Sequence, residues 1–495
     1  MQIQLERNGS RDARPVYRQI ADHIRRDIDA RRVAAGSRLP AIRDLARRLQ
    51  VNRDTVALAY EALATAGVVE SAVGRGTFVC GPELTAPREA VAFQPVLSAL
   101  TERLLDFERA RPRFGSGDAA VPMHAVIPDP SLYPADAFRR VLNRVLLETG
   151  PELLGYGGPQ GYAGLREVVS KRLRRASIDA AADDLVLCHG ASQGIALSLR
   201  LFAEPGDTVA LEEPTYTNVL ATVYGLGLET TPIPMREDGL DLAVLERTLR
   251  RPEVKLLYTI PTFHNPLGTT STLAHRKALL EIAACCGKPV IVDGYEMDLR
   301  FTGRPVPSLA ALDGSGLVVH LSSFSKSLFP GVRVGAIAAR GRLVDALVAL
   351  KQATDLSDAM PLQAALAEFV ARGLYDRYLL RLRRVLHSRC DALLEALARE
   401  MPAGASWTTP QGGYQVWVEL PDGIDTSDLL ADAVGAGVLF APGAQFNHDG
   451  RPSSGLRLSF AMADEDALRR GVAALGRVVR DRLASQPRRA AQVHI

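Results

Sequence analysis

Apolar residues at Val16, Ile20, Ile24 and Ile28 recur at helical spacing behind Pro15, a residue suited to a first turn, and predict a helix over residues 15–32. A second helix is predicted over 41–49. After Val51, Asn52 is a good N-cap, and Val56, Ala59, Tyr60 and Leu63 give a third helix that Gly67 closes. Val68-Val69-Glu70 and Thr77-Phe78-Val79, on either side of Gly74-Arg75-Gly76, read as a small hairpin. Three helices and a hairpin in this order make a winged helix-turn-helix over residues 11–80.

The pattern weakens over residues 81–122, where prolines stand at 82, 87, 95, 112 and 122 around a short helical piece near 97–109. This stretch reads as a linker. From residue 123 onward, helical patterns alternate with short apolar runs at 185–188, 208–211, 256–260, 290–292, 317–321 and 335–339. Strands spaced this way imply a mainly parallel sheet covered on both faces by helices. Residues 413–420 and 456–460 are predicted strands of a smaller α+β lobe at about 375–480, so the second domain spans 123–480 and the chain is multidomain.

Length fits that division, since 495 residues accommodate roughly three domains. Charge separates the two ends. The first eighty residues hold 14 Arg, no Lys and nine acids, a net +5, while the remainder carries −2. A basic excess confined to one end points to a polyanionic partner there and a different task for the rest. The N-terminus has no apolar signal-peptide core, and no apolar run approaches the roughly 20 residues of a membrane span, so a cytoplasmic location is expected. Five cysteines without metal-ligand spacing indicate neither a disulfide framework nor a metal site.

In a helix-turn-helix the third helix offers its N-terminal end to base edges in the major groove. Here that end carries Asn52, Arg53 and Thr55, and Arg53 can fork onto a guanine edge, a contact worth about 1–3 kcal/mol of discrimination. Arg43 on the preceding helix converges on the same groove. Gly74 and Arg75 at the hairpin tip can reach the minor groove or its phosphates, while Arg38, Arg47 and Arg48 are general phosphate contacts. Leu39-Pro-Ala-Ile-Arg-Asp-Leu-Ala, Val51-Asn-Arg-Asp-Thr-Val and the Gly-Arg-Gly-Thr wing together resemble the DNA-binding domain of the GntR superfamily over residues 15–79. Asp54 and Val73 depart from that pattern.

A second group of motifs carries different chemistry. Ser323-Phe-Ser-Lys326 follows directly on a predicted strand, a setting that suits a covalent bond between a lysine and an aldehyde cofactor. Ser323 and Arg333 suit a phosphate dianion. Asp293 ends the buried run Val290-Ile-Val-Asp and can pair with a protonated ring nitrogen, while Tyr295 and Asn265 can bond a phenolic oxygen. Gly190-Ala191-Ser192-Gln193-Gly194 joins a strand to a helix and can cradle phosphate at a helix N-terminus. Singly, each has a plain structural reading: a solvated lysine, a capping aspartate, an Asn-Pro turn, a glycine-rich corner. In this order on these elements they resemble fold-type I pyridoxal phosphate (PLP) enzymes of the aminotransferase class.

That resemblance implies an aldimine at Lys326, with Asp293 on the pyridine nitrogen, Asn265 and Tyr295 on the phenolic oxygen, and Ala191, Ser192, Ser323 and Arg333 on the phosphate. It further implies Tyr216 stacked on the ring, Tyr156 reaching phosphate from a partner subunit of a homodimer, and Arg457 clamping a substrate or effector carboxylate. Gln193-Gly194 departs mildly from the usual pattern. Joined to a GntR-like reader, such a domain resembles the MocR subfamily of transcription regulators. The function implied is a PLP-dependent regulator of operator DNA that senses an amino acid, an amine or PLP itself through Lys326. A working aminotransferase is the alternative, and a scaffold that has lost its cofactor is disfavoured by the complete residue set.

Overall fold

The computed structural model describes residues 3, 15–30, 32–72, 76–80, 96–112, 120–421 and 423–485. Gly74 and Arg75 of the predicted wing, together with Val73 and most of the predicted linker, lie outside the described residues. The chain divides into two compact units, Met1–Val96 and Leu97–Ile495.

In the first unit, α1 (Val16–Asp29), α2 (Ile42–Leu49) and α3 (Arg53–Thr65) precede the antiparallel hairpin of β1 (Val69–Ala72) and β2 (Gly76–Val79). Its core is the predicted stripe: Ile20 and Ile24 of α1 pack with Leu45, Val56, Leu63, Val69 and Val79. Each fully buried isoleucine contributes about 1.5–3 kcal/mol. Asn52 caps α3 by accepting a hydrogen bond from the Asp54 N–H at 3.2 Å. The Tyr60 hydroxyl donates to the Pro40 carbonyl at 2.8 Å and so ties α3 to the residues that lead into α2.

The second unit begins with α4 (Ala99–Ala110), which lies within the stretch read as a linker and carries the short helix expected there. It is packed, with Phe107 edge-on to Tyr224 at 5.2 Å and Arg103 bonded to Glu229 at 2.8 Å. Then come β3 (Val121–Pro122), α5 (Ala135–Leu153), α6 (Ala163–Arg175), β4 (Leu185–Cys188), α7 (Gly190–Arg200), β5 (Thr208–Glu213), α8 (Thr217–Gly225), β6 (Glu229–Arg236), β7 (Gly239–Leu240), α9 (Leu242–Leu249), β8 (Val254–Thr259), α10 (Leu273–Cys286), β9 (Val290–Asp293), α11 (Leu309–Leu312), β10 (Val318–Ser323) and β11 (Gly335–Ala338). Strands β4 to β11 form one sheet in the order β4-β11-β10-β9-β8-β5-β6-β7. It is mainly parallel, as expected. The exceptions are β11, antiparallel to both β10 and β4, and the short edge strand β7.

Alternation along the strands sends side chains into two layers. Leu211, Ile291, Val319 and Ile337 join residues of α7 and α8 on one face, whereas Ala210, Leu257, Val290 and Val292 join α9 and α10 on the other. Helices α12 (Arg342–Gln352), α13 (Met360–Ala371) and the long α14 (Leu374–Glu400) lead to the small lobe. There β12 (Ser406–Trp407), β13 (Gln415–Glu419), β15 (Ala441–Pro442) and β16 (Gly455–Ser459) form an antiparallel sheet beside α15 (Thr426–Gly435) and α16 (Glu465–Ser485). A further strand, β14 (Val438–Leu439), pairs in parallel with β3, so residues 121–122 are stitched to the small lobe. No helix among the described residues is long and apolar enough to cross a membrane.

Candidate cofactor site and nucleic-acid interface

The C-terminal ends of parallel strands are where open α/β sheets place their ligands. Lys326 follows β10 and Asp293 ends β9, and register sets Asp293 beside Leu321 of β10. β10 then turns back as β11, so Ser323, Lys326 and Arg333 all lie on or between two paired strands whose closing pair is Ser323 and Gly335.

At the phosphate end, Gly190 opens α7 with φ +78, and a Cβ there would stand 3.0 Å from the Arg333 guanidinium. Arg333 in turn donates to the His189 carbonyl at 2.8 Å. Glycine thus lets the backbone and the arginine close on one another at a helix N-terminus, where the first N–H groups have no helical acceptor. Ser192 and Arg333 are exposed, Ala191 is half-buried and Ser323 is buried. The Ser325 hydroxyl, one residue before Lys326, is buried and has no hydrogen-bond partner among the described residues. Tyr156 is 85% exposed.

The ring end is enclosed. Asp293 is 1% exposed, accepts from the Tyr258 hydroxyl at 2.8 Å and from the Tyr295 N–H at 3.2 Å, and burial pushes its carboxyl up to about 6. A cationic ring nitrogen beside it would relieve that cost. Tyr216 and Tyr295 present parallel rings with centroids 6.5 Å apart, and the Tyr295 hydroxyl accepts from the Gln415 amide at 3.0 Å. Burial holds the Lys326 ammonium well below its ordinary value, while the facing Glu296 carboxylate opposes that shift. Glu296 itself is wholly buried and is pushed upward by burial.

Arg457 on β16 is 7% exposed, lies over the Phe446 ring at 4.9 Å and has its charge disfavoured by burial. It donates to Asn265 Oδ1 at 2.9 Å and to the His124 carbonyl at 2.7 Å. Lys326 donates to the Val126 carbonyl at 2.7 Å. The structure therefore brings Lys326, Asp293, Tyr295, Asn265, Tyr216 and Arg457 around one end and Ala191, Ser192, Ser323 and Arg333 around the other, with Tyr156 outward. Sequence reasoning missed Tyr258, Glu296, Gln415 and the 124–126 segment. The first of these carried a signal, because Tyr258 and Asp293 sit on adjacent strands of apolar character. Glycine where a Cβ would clash, an unsatisfied hydroxyl beside the lysine and a buried acid awaiting a cation all fit a phosphorylated, nitrogen-containing aromatic aldehyde.

The first unit presents a different surface. Arg38, Arg43, Asn52, Arg53 and Asp54 line one groove with Gly76 and Thr77 of the hairpin. Arg43, Asn52 and Arg53 are exposed and Thr55 is half-buried. The side-chain oxygen of Asn52 is spent on its cap, leaving its amide free to turn outward.

Residues 16–79 match the family of bacterial regulatory proteins of the gntR type, and residues 129–475 match aminotransferase class I and II. The chain is 30% identical to the probable rhizopine catabolism regulatory protein MocR of Rhizobium meliloti, over 93% of each chain. It is 34% identical to aromatic-amino-acid aminotransferase 1 of Thermococcus litoralis, over 72% of this chain and 87% of that one. Among solved structures, LysN, the α-aminoadipate aminotransferase of Thermus thermophilus complexed with N-(5'-phosphopyridoxyl)-L-leucine, superposes with a TM-score of 0.69 at 32% identity, over 79% of this chain and 96% of that one. With a gntR-type reader ahead of a fold-type I domain that fills most of its length, the chain belongs to the aminotransferase class I and II family and, within it, to the MocR-type regulators that carry a GntR DNA-binding domain.

Proposed function

We propose that this chain is a cytoplasmic transcription regulator that binds double-stranded operator DNA and, as a homodimer with shared sites, senses an amino acid, an amine or PLP itself through Lys326. One observation carries the coupling. Lys326 and Arg457, the residues assigned to cofactor and effector carboxylate, both end on carbonyls of one short segment, Val126 and His124. The same segment is held to the small lobe through the Ser459 N–H, which donates to the Met123 carbonyl at 2.7 Å. Going backward along the chain, it leads to the DNA-binding unit.

Pyridoxal phosphate, when bound, supplies an aldehyde that can exchange one amine partner for another and a ring that withdraws electrons. In this reading Lys326 holds it covalently, Asp293 keeps the ring nitrogen protonated, and Asn265 and Tyr295 orient the phenolic oxygen. Tyr216 covers the ring, while Ala191, Ser192, Ser323 and Arg333 take the phosphate, joined by Tyr156 of a second copy. A carboxylate arriving at Arg457 competes with the His124 carbonyl for the guanidinium, and loading of Lys326 releases the Val126 carbonyl. Both events free the same segment. A ligand shifts a conformational equilibrium only through differential affinity for its two states, and these two exchanges supply that difference. Arg43 and Arg53 read base edges, with Thr55, Asn52, Gly74 and Arg75 assisting.

The test is an operator-binding titration of the full-length protein with PLP and a panel of amino acids and amines. Wild type should change its operator affinity on addition of an effector, and Lys326→Ala should bind DNA without responding. Arg53→Ala serves as the reference in which DNA affinity itself falls about tenfold. An unaltered effector response in Lys326→Ala would overturn the reading. The second reading, an aminotransferase, is favoured by the complete ring-end residue set, and rapid single-turnover conversion of an amino acid to its oxo acid would support it.

A further inference from the structure

Beside Val292 of β9 and His320 of β10, a cavity of about 590 Å³ opens between the end of α6, the first half of α14 and the loop after β9. Asp293 is among its walls but Lys326, Arg333, Tyr216 and Asn265 are not, so among the residues assigned to the cofactor it meets only Asp293. Four arginines line it: Arg172, Arg175, Arg300 and Arg383. Two of them are answered. Arg172 bonds Asp376 at 2.8 Å and Asp298 at 3.0 Å, and Arg175 lies 3.6 Å from Asp376.

The other two are not. Among the described residues, Arg300 donates only to neutral groups, the Gln411 amide oxygen at 2.8 Å and the Thr302 carbonyl at 3.4 Å, and lies over the Phe263 ring at 4.8 Å. Arg383 donates through Nε to the Asp298 carbonyl at 2.7 Å. His320 also lines the cavity; it is 2% exposed, and neither ring nitrogen has a hydrogen-bond partner among the described residues. Its ring lies so close to Gly294 that a Cβ there would stand 2.6 Å away. A buried polar group without a partner is costly, and two guanidinium groups beside one, with no carboxylate partner among the described residues, point to a missing anion. The volume lies within the range of ligand pockets, roughly 300–1,000 Å³.

We propose that this cavity is a second ligand site that takes a small organic anion bearing a carboxylate or phosphate group, paired to Arg300 and Arg383 with the His320 N–H as a further donor. Burial lowers His320 to about 4, so the imidazole is neutral and offers one N–H at neutral pH. The anion makes no bond to Lys326, which is not among the walls.

Calorimetric titrations of full-length protein saturated with PLP test the proposal, with inorganic phosphate, glutarate and pyridoxine 5'-phosphate as probes. The last lacks an aldehyde and cannot bond Lys326. At least one probe should bind saturably with a Kd of about a millimolar or tighter, and the identity of that probe separates phosphate from carboxylate recognition. Arg300→Ala with Arg383→Ala should weaken it at least about tenfold, while Arg342→Ala, an exposed change elsewhere, should leave it unaltered. Should the double variant unfold, Arg300→Gln alone should still weaken binding about fivefold. Lack of saturable binding by all three probes, or equal affinity in the arginine variants, overturns the proposal. Cofactor absorbance, read in the same samples, is expected to stay constant and so keeps this result apart from the reading of the Lys326 site.

Discussion

Within the cofactor site, the ring end and the phosphate end are built on opposite terms. Asp293, Asn265 and Arg457 are 1%, 1% and 7% exposed, whereas Ser192, Arg333 and Tyr156 stand in solvent in a single chain. Charges at the ring end have been taken out of water and must be answered by one another or by the ring. At the phosphate end, backbone N–H groups of a helix N-terminus and an arginine are open to solvent, and in the proposed assignment they would meet a dianion that arrives with its own hydration. The contrast teaches that tight discrimination resides in the buried half, while the open half supplies attraction that salt and assembly can tune.

The largest expected effect tests the buried half. Asp293→Ala removes the group proposed to pair with the ring nitrogen and the carboxylate that accepts from Tyr258. It should weaken PLP binding by about 3 kcal/mol or more, over a hundredfold, in a fluorescence titration of apoprotein. Arg333→Ala, at the open end, should cost less, about 1.5–3 kcal/mol, and the loss should shrink as salt rises. An Arg333 effect equal to that of Asp293 and insensitive to salt would break the comparison.

Next in size is a pH effect. Burial depresses the Lys326 pKa, so the neutral amine that captures an aldehyde is populated at lower pH than for an ordinary lysine near 10.4. The rate of PLP uptake should therefore rise with pH and level off well below that value. Because Glu296 opposes the depression, Glu296→Gln should move the midpoint to still lower pH. A midpoint unchanged by that substitution would detach Glu296 from the lysine. Smallest is Tyr156→Phe, which removes one hydroxyl and should cost about 1 kcal/mol. That loss should vanish at protein concentrations where the chain is monomeric by light scattering.

Strand-end chemistry was legible in the chain because it depends on local order: an apolar run, then a lysine or an aspartate. Apolar runs were likewise enough for β4 and β9. The strand β6 escaped, since Pro232 and Pro234 argue against a strand; it tolerates them because only the two-residue β7 lies outside it. Nor could spacing reveal the bond from Arg457 to Asn265, which joins residues 192 positions apart, or the return of His124 and Val126 into the site. The cavity near His320 is assembled from several remote segments, and its signal lies in what those segments leave unpaired. In the DNA-binding unit the reverse holds, because Arg43 and Arg53 fall within one short stretch and local spacing alone brings them together.

The reversal of β11 has a mechanical consequence. Ser323, Lys326 and Arg333 are bracketed by one pair of strands, so the anchors proposed for the two extremities of the cofactor ride on the same loop. In the proposed assignment, a shift of that loop would move Lys326 and Arg333 in concert, so a cofactor held by both would be pivoted as a whole and not stretched between independent handles.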